Sequence, residues 1–503
     1  MTEQYRSICQ RIITATLFLA LTSATDIAQT QDDSVRSNRR QPLSDRVIGL
    51  AVENELLSSE AIDAHRIDAE SAEGILTLAG RVDNLLAKRR ASALAQQVKG
   101  VMAVVNQIVV VSSQREDQEI AQDIVQAWSA EEVTEALELR VDVNRSAARL
   151  SGTVDSHAEK VVAEEIAAGV KGVTEIENEI NVMLATDRPD AEIRKEVQGL
   201  IESAIELDDA AIEVNVDNGV VVLNGQVGSA FAKSAAERKS WVSGVKSVDV
   251  RGVQVDFDLY DGTRRRERLQ AVTDKKIVEM IRLAMRHDPR LLSYLETIDV
   301  ASNDGSVTLT GKVGRLRAKE SAEQVARSTI GVWRVKNNLK VRWSGADPTA
   351  HEIVENVQAA LSRDPYVSRH AIRVHCRNAH VSLYGLVDSE FEKRVAGGTA
   401  GGQKGVVHVN NSLAVAKKWE PQSDAEIKAD IEEKLKFTFF DKSNNIDVTV
   451  DNGVAILRGE VDTWRAWQTA MNKAVEAGAR RPHNLLQVRY HPRHGGSRIY
   501  VPQ

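Results

Sequence analysis

The sequence predicts an α/β protein built from six tandem units, each running helix–strand–strand–helix–strand. Three observations carry this. A glycine closing an apolar strand returns at Gly80, Gly152, Gly225, Gly311, Gly385 and Gly459, at intervals of 72, 73, 86, 74 and 74 residues. Six residues before each lies a turn position, at Gly74, Ser146, Gly219, Gly305, Ala379 and Gly453. Eleven residues after each comes an alanine, at Ala91, Ala163, Ala236, Ala322, Ala396 and Ala470. Self-similarity at a fixed period is the signature of a repeat architecture.

In chain order, Arg6 and Arg11 precede an apolar run over 12–21, and Thr22, Ser23 and Ala24 follow it. A positive start, a short apolar run and a small-residue end predict a secretory signal peptide at 1–24. The run is shorter than the ~20 residues of a spanning helix, and no lipobox cysteine follows it. The expectation is therefore a soluble periplasmic protein. A linker at 25–43 leads to units at 44–111, 116–183, 190–257, 274–342, 347–415 and 424–490, with a basic linker at 258–273 and a tail at 491–503.

Each unit opens on an amphipathic helix, with Ile193, Val197, Leu200, Ile201 and Ile205, or Ile353, Val357, Ala360 and Leu361, at helical spacing. A hairpin follows. In Asp217-Asn218-Gly219 and Asp451-Asn452-Gly453 the Asn-Gly pair supplies the positive φ that a tight hairpin turn needs. Ser146 and Ala379 depart from that chemistry and predict looser hairpins. The second helix carries alanines four apart in five units (Ala91 and Ala95, for example), which share one face and let it lie close on a sheet. Gly100, Gly172, Gly244, Gly331, Gly405 and Gly478 read as the C-cap of that helix. The last strand carries Asn106, Asn178, Asn337, Asn411 and Asn484 in register; Val250 takes that place in unit three.

The pattern, an Asp-led helix, I-x-V-x-x-x-x-G-x-V-x-L-x-G-x-V as in Ile212 to Val227, an Ala-rich helix and Gly-Val-x-x-V-x-N, resembles the BON domain. That family is found in bacterial osmotically inducible periplasmic proteins and related envelope proteins. The resemblance covers about 44–490, with departures at Ser146, Ala379 and Val250. In unit six, Ala479 and Arg480-Arg481-Pro482 point to a different last strand. The resemblance implies two helices on a small three-stranded mixed sheet, no catalysis and no cofactor. It also implies an association with phospholipid binding, envelope integrity and osmotic stress.

Composition bounds the function. Lys+Arg total 65 against 72 Asp+Glu, a net charge of −7, which disfavours a nucleic-acid partner. Aromatics are 4%, so the cores are built of Val, Ile, Leu and Ala. Of the two cysteines, Cys9 lies in the signal segment and Cys376 is left single, so no disulfide forms. Gly305 to Gly311-Lys312 lacks phosphate-loop spacing, with Val313 where Ser or Thr is needed. His370, His375, Cys376 and His380 gather in unit five, but strand alternation puts His375 opposite Cys376, which reads as a buried small hydrophobe. His483, His491 and His494 in the tail leave a ligand site open but read as solvated. Gly397-Gly398 and Gly401-Gly402 predict fraying of the second helix of unit five. No catalytic motif and no metal site is expected.

Charge distinguishes the copies. Residues 116–183 carry 5 basic against 16 acidic side chains, 190–257 carry 7 against 12, and 274–342 carry 14 against 8. Arg264, Arg265 and Arg266 stand in the linker, and Arg282, Arg286 and Arg290 fall at one helical stripe followed by Leu291, Leu292 and Tyr294. Two readings stay open. Basic charge beside an apolar loop suits an anionic phospholipid surface; the same charge also suits a solvated face complementary to the acidic copies. The functional expectations divide likewise, between a lipid-binding envelope protein and a protein-interaction scaffold or chaperone-like module with envelope proteins as partners.

Overall fold

In each unit the first two strands form an antiparallel hairpin, and the third returns parallel to the second, which lies in the middle. The computed structural model describes residues 43–111, 115–135, 137–183, 188–208, 210–257, 259, 272–343, 348–416, 423–436, 446–461, 464–479, 482–490 and 498–500. The segment 1–24 expected to be a signal peptide, Cys9 within it, and Arg264, Arg265, Arg266, His491 and His494 lie outside them.

Unit one shows the logic. Ile67–Ala72 pairs with Ile75–Val82, Ile67 opposite Gly80, and Ala103–Val110 runs parallel to Ile75–Val82, Ile75 opposite Ala103. A parallel return needs a crossover, and the helix Leu85–Ala95 supplies it. That helix and Asp45–Leu57 cover one face of the sheet. Leu76, Leu78 and Val82 point into the helices, where Val52, Leu56, Ala91 and Ala95 are equally buried. The repeated alanines are buried in all six units; in unit three Ser240 takes the second place, fully buried with its hydroxyl donating to Ala236 O at 2.8 Å. The other face of the first sheet leaves Ile75, Val105, Val109 and Val111 exposed.

A carboxylate at the head of the first helix holds the hairpin turn. Asp190 accepts the backbone N–H of Asn218 at 2.8 Å and of Gly219 at 2.9 Å. Asp45, Asp117, Asp274 and Asp424 do the same for their own turns. This is the physical content of the Asp-led helix. Unit five has Ala350 at that place. The turns at Ser146 and Ala379 are not looser: both residues adopt the left-handed conformation, with φ of 63° and 62°, and their hairpins pair through to the turn. The strand glycine answers a close approach. Gly225 has φ of 133°, and a Cβ there would overlap the carbonyl oxygen of Ala211 on the neighbouring strand.

Three other expectations are corrected. The repeated glycines from Gly100 to Gly405 are not helix caps: Leu85–Ala95, for example, ends well before Gly100, which closes the turn into the last strand against Ile48. Gly478 does cap its helix, two residues beyond Glu476, with φ of 90° and Ala479 N–H donating to Ala474 O at 3.1 Å. The helix of unit five does not fray at its glycines but runs Glu390–Gly401. There the missing side chains make room for unit four, since a Cβ on Gly401 would stand 3.2 Å from Leu316 and one on Gly402 would meet Arg317. The last strand of unit six is the ordinary one, His483–Tyr490 parallel to Val454–Val461, with Arg498–Tyr500 added beyond it.

The late asparagine ties strand to helix. Asn106 donates to Lys88 O at 2.9 Å and accepts Ile108 N–H at 3.0 Å. In unit three the strand bulges between Asp249 and Gly252, and Asp249 accepts Arg251 N–H at 2.9 Å in the asparagine's stead.

Candidate functional site

Residues Leu43–Gln503 form one body, and the acidic second unit makes contacts with four others. It turns its first helix, Asp117–Ala130, the short helix Glu132–Glu135 and the second helix, His157–Ala168, towards them. Arg89 of unit one pairs with Glu164. Trp241 of unit three stacks on His157, with centroids 4.1 Å apart. Unit four brings Arg317 onto Glu131, Arg315 to 3.5 Å from Glu135 and Arg290 to 3.9 Å from Glu165. The Tyr294 hydroxyl donates to Glu132 at 2.8 Å, and burial with that carboxylate pushes its pKa up. Unit five adds Lys404 at 3.2 Å from Glu135. The guanidinium of its Arg363 donates to Gln126 at 2.9 Å, and its Arg363 carbonyl accepts Lys171 N–H at 2.7 Å. Trp343 carries both Arg315 and Lys404 on its ring, at 4.6 and 5.0 Å.

Units three and four are joined differently. Ile205 N–H donates to Ser328 O at 2.9 Å and Ile330 N–H to Ser203 O at 2.8 Å, around the bridge of Ala204 to Thr329. Glu196 meets His287 at 3.0 Å. Burial works against the Glu196 charge, but hydrogen bonds from His287 and Arg188 hold its pKa down at about 2.

The expected basic stripe is divided by this packing. Its helix is Asp274–Met285, so Arg290 lies beyond it and faces Glu165. Arg282, Arg286 and Leu292 are exposed. Leu291 is fully buried in the core of unit four, which corrects its expected place at a surface, and Tyr294 is engaged with Glu132. Arg315, Arg317, Arg363 and Trp343 were not singled out by the sequence; the excess of acid in 116–183 over base in 274–342 was the available signal.

Two cavities lie at the junctions. One, of about 380 Å³, is lined by His157, Val161, Ala204, Arg238, Trp241 and Val325 from units two, three and four. The other, of about 240 Å³, lies among units two, four and five. Arg290 and Glu165 line both. Among the described residues His370, Asp388 and Glu392 bring ligand atoms within 4.8 Å of one another. Arg369 already binds both carboxylates, and Glu392 accepts Asp388 N–H at 2.7 Å as part of a helix cap. The cluster is thus accounted for by structure. Cys376 is half-buried against the core of unit five, with His375 exposed on the other face.

A profile of the BON domain matches the chain six times, at residues 44–112, 116–183, 189–256, 273–342, 349–417 and 423–490. Osmotically-inducible protein Y of Escherichia coli (strain K12) is 26% identical over 145 residues, which is 27% of this chain and 72% of that protein. Two solved structures of CdsD, a structural protein of the type III secretion system of Chlamydia trachomatis, are similar at 14% identity. They cover 40% of this chain and 88% and 94% of theirs, with TM-scores of 0.12 and 0.11.

Proposed function

The chain belongs to the BON domain family, and from that premise we propose that it is a non-enzymatic protein of the bacterial periplasm that acts in osmotic stress by contact with anionic phospholipid surfaces. Six matches to one domain, together with the likeness to osmotically-inducible protein Y, carry the osmotic reading. The basic start of the chain and its short apolar run support export. The membrane contact rests on Arg282, Arg286 and Leu292, which stay exposed after the units have packed, and on the neighbouring linker with Arg264, Arg265 and Arg266. Each basic residue near an anionic surface contributes about 1 kcal/mol, so five of them suffice for salt-sensitive peripheral binding without insertion.

Co-sedimentation of residues 25–503 with phosphatidylglycerol-containing and neutral vesicles over a salt series tests this. Binding to the anionic vesicles that falls with salt and is lost when these five arginines become glutamate supports it. No binding at low salt overturns the membrane reading. A second reading, a scaffold for envelope proteins, is favoured by one observation: the outer sheet face of unit one presents Ile75, Val105, Val109 and Val111 to solvent, an apolar row of the kind that marks interaction surfaces.

A further inference from the structure

The cavity among units two, four and five contains a buried cation with no anion of its own. Arg363, the last residue of the helix Ala350–Arg363, is 8% exposed and lines it. Its guanidinium donates to a neutral acceptor, Gln126. Among the described residues no carboxylate stands within 4.0 Å of it. The acidic side chain that acts on it from nearby, Asp123, is already bound to Arg115 at 2.8 Å. Buried charges in proteins are paired or hold a ligand.

Two of the three carboxylates lining the same cavity are committed elsewhere. Glu131 is taken by Arg317. Asp364 accepts Tyr366 N–H at 2.9 Å through one oxygen and the Thr399 hydroxyl at 3.1 Å through the other. Glu165 holds Arg290 only loosely, at 3.9 Å. Arg290 and Arg363 thus line one space in which neither is held tightly by a carboxylate.

We propose that this cavity binds a small oxyanion, a carboxylate or phosphate group, on Arg363 with Arg290 as the second donor. A guanidinium fork matches the geometry of either group. The volume of about 240 Å³ lies below the ~300–1,000 Å³ of pockets for larger organic ligands, so the body of the ligand is small. The lining is drawn from three units, so the bound ion bridges them and binding strengthens their association.

Calorimetric titration of residues 25–503 at neutral pH and constant chloride tests this, with inorganic phosphate in one arm and acetate in the other. The expected result is saturable binding of one ion per chain, weakened at least tenfold in R363Q and several-fold in R290Q, and unchanged when Arg264, Arg265 and Arg266 become glutamate. The arm that binds identifies the group. Vesicle binding unaffected by R363Q separates this site from the membrane contact. Absence of saturable binding in both arms overturns the proposal, as does equal affinity in R363Q. Should R363Q fail to fold, R290Q decides, and unaltered affinity there overturns it.

Discussion

Arg315 is one of the side chains that dock unit four onto unit two, and Arg315→Ala measures its share. The guanidinium is 7% exposed and lies 4.0 Å from Glu132 and 3.5 Å from Glu135, which are 37% and 42% exposed. Both contacts are long and both acids reach water, so each contributes at the upper end of a surface pair, ~0.5–1 kcal/mol. The hydrogen bond to Ala130 O at 3.4 Å adds ~0.5 kcal/mol. The stack on Trp343, the residue after unit four, does not reach unit two and does not count towards docking. Glu132 and Glu135 regain solvent in the variant, so the larger penalty of a stranded buried charge does not apply. The docking equilibrium should weaken by about 2 kcal/mol, roughly thirtyfold. Hydrogen exchange reads it: protection over 128–135 should fall by about that factor, while the hairpin of Ile298–Asn303 and Ser306–Val313 keeps its own. Unchanged protection at 128–135 would refute the reasoning. So would loss in both segments together, which would make Arg315 a determinant of the fold of unit four and not of its docking.

Two further outcomes follow from the units themselves. Ala350→Asp restores to unit five the carboxylate that holds the turn elsewhere and should raise its unfolding free energy by about 1 kcal/mol, the worth of a good helix cap; urea unfolding with no gain would sink the clasp. Glu196 has a folded pKa of about 2 against an ordinary 4.5. A depressed carboxylate contributes stability above its unfolded value and loses it as pH falls through the folded one. The contact of units three and four should therefore loosen between about pH 4.5 and pH 2, seen as faster exchange of the Ile205 and Ile330 amides. A Glu196 that titrates near its ordinary value by NMR would contradict this.

The interior of each unit was legible because it is local. The period, the hairpin turns and the buried alanines are all set within some seventy residues, so they recur in the sequence wherever they recur in space. The glycines of unit five mark the limit. Counted against helix propensity, Gly401 and Gly402 look like a weak helix; only the approach of Leu316 and Arg317 from another unit explains them. Leu291 and Tyr294 mark it again. Their sequence neighbourhood is basic and apolar, which suits a membrane, yet one fills the core of its unit and the other reaches an acid 162 residues away. Charge imbalance between copies carried the information that they attract, but not which side chains meet.

The sixth unit reaches back to the first. Lys473, 8% exposed, binds both Glu55 of unit one and Glu476, and Lys434 binds Ser58. In a linear array each terminal repeat has one neighbour, and unravelling begins there. Here unit one is held by unit six as well as by units two, three and five, through Arg89, Gln96 and Glu60. The array has closed on itself. With junctions to four other units, unit one stays tethered when any one of them is lost, so this end of the array should resist peeling.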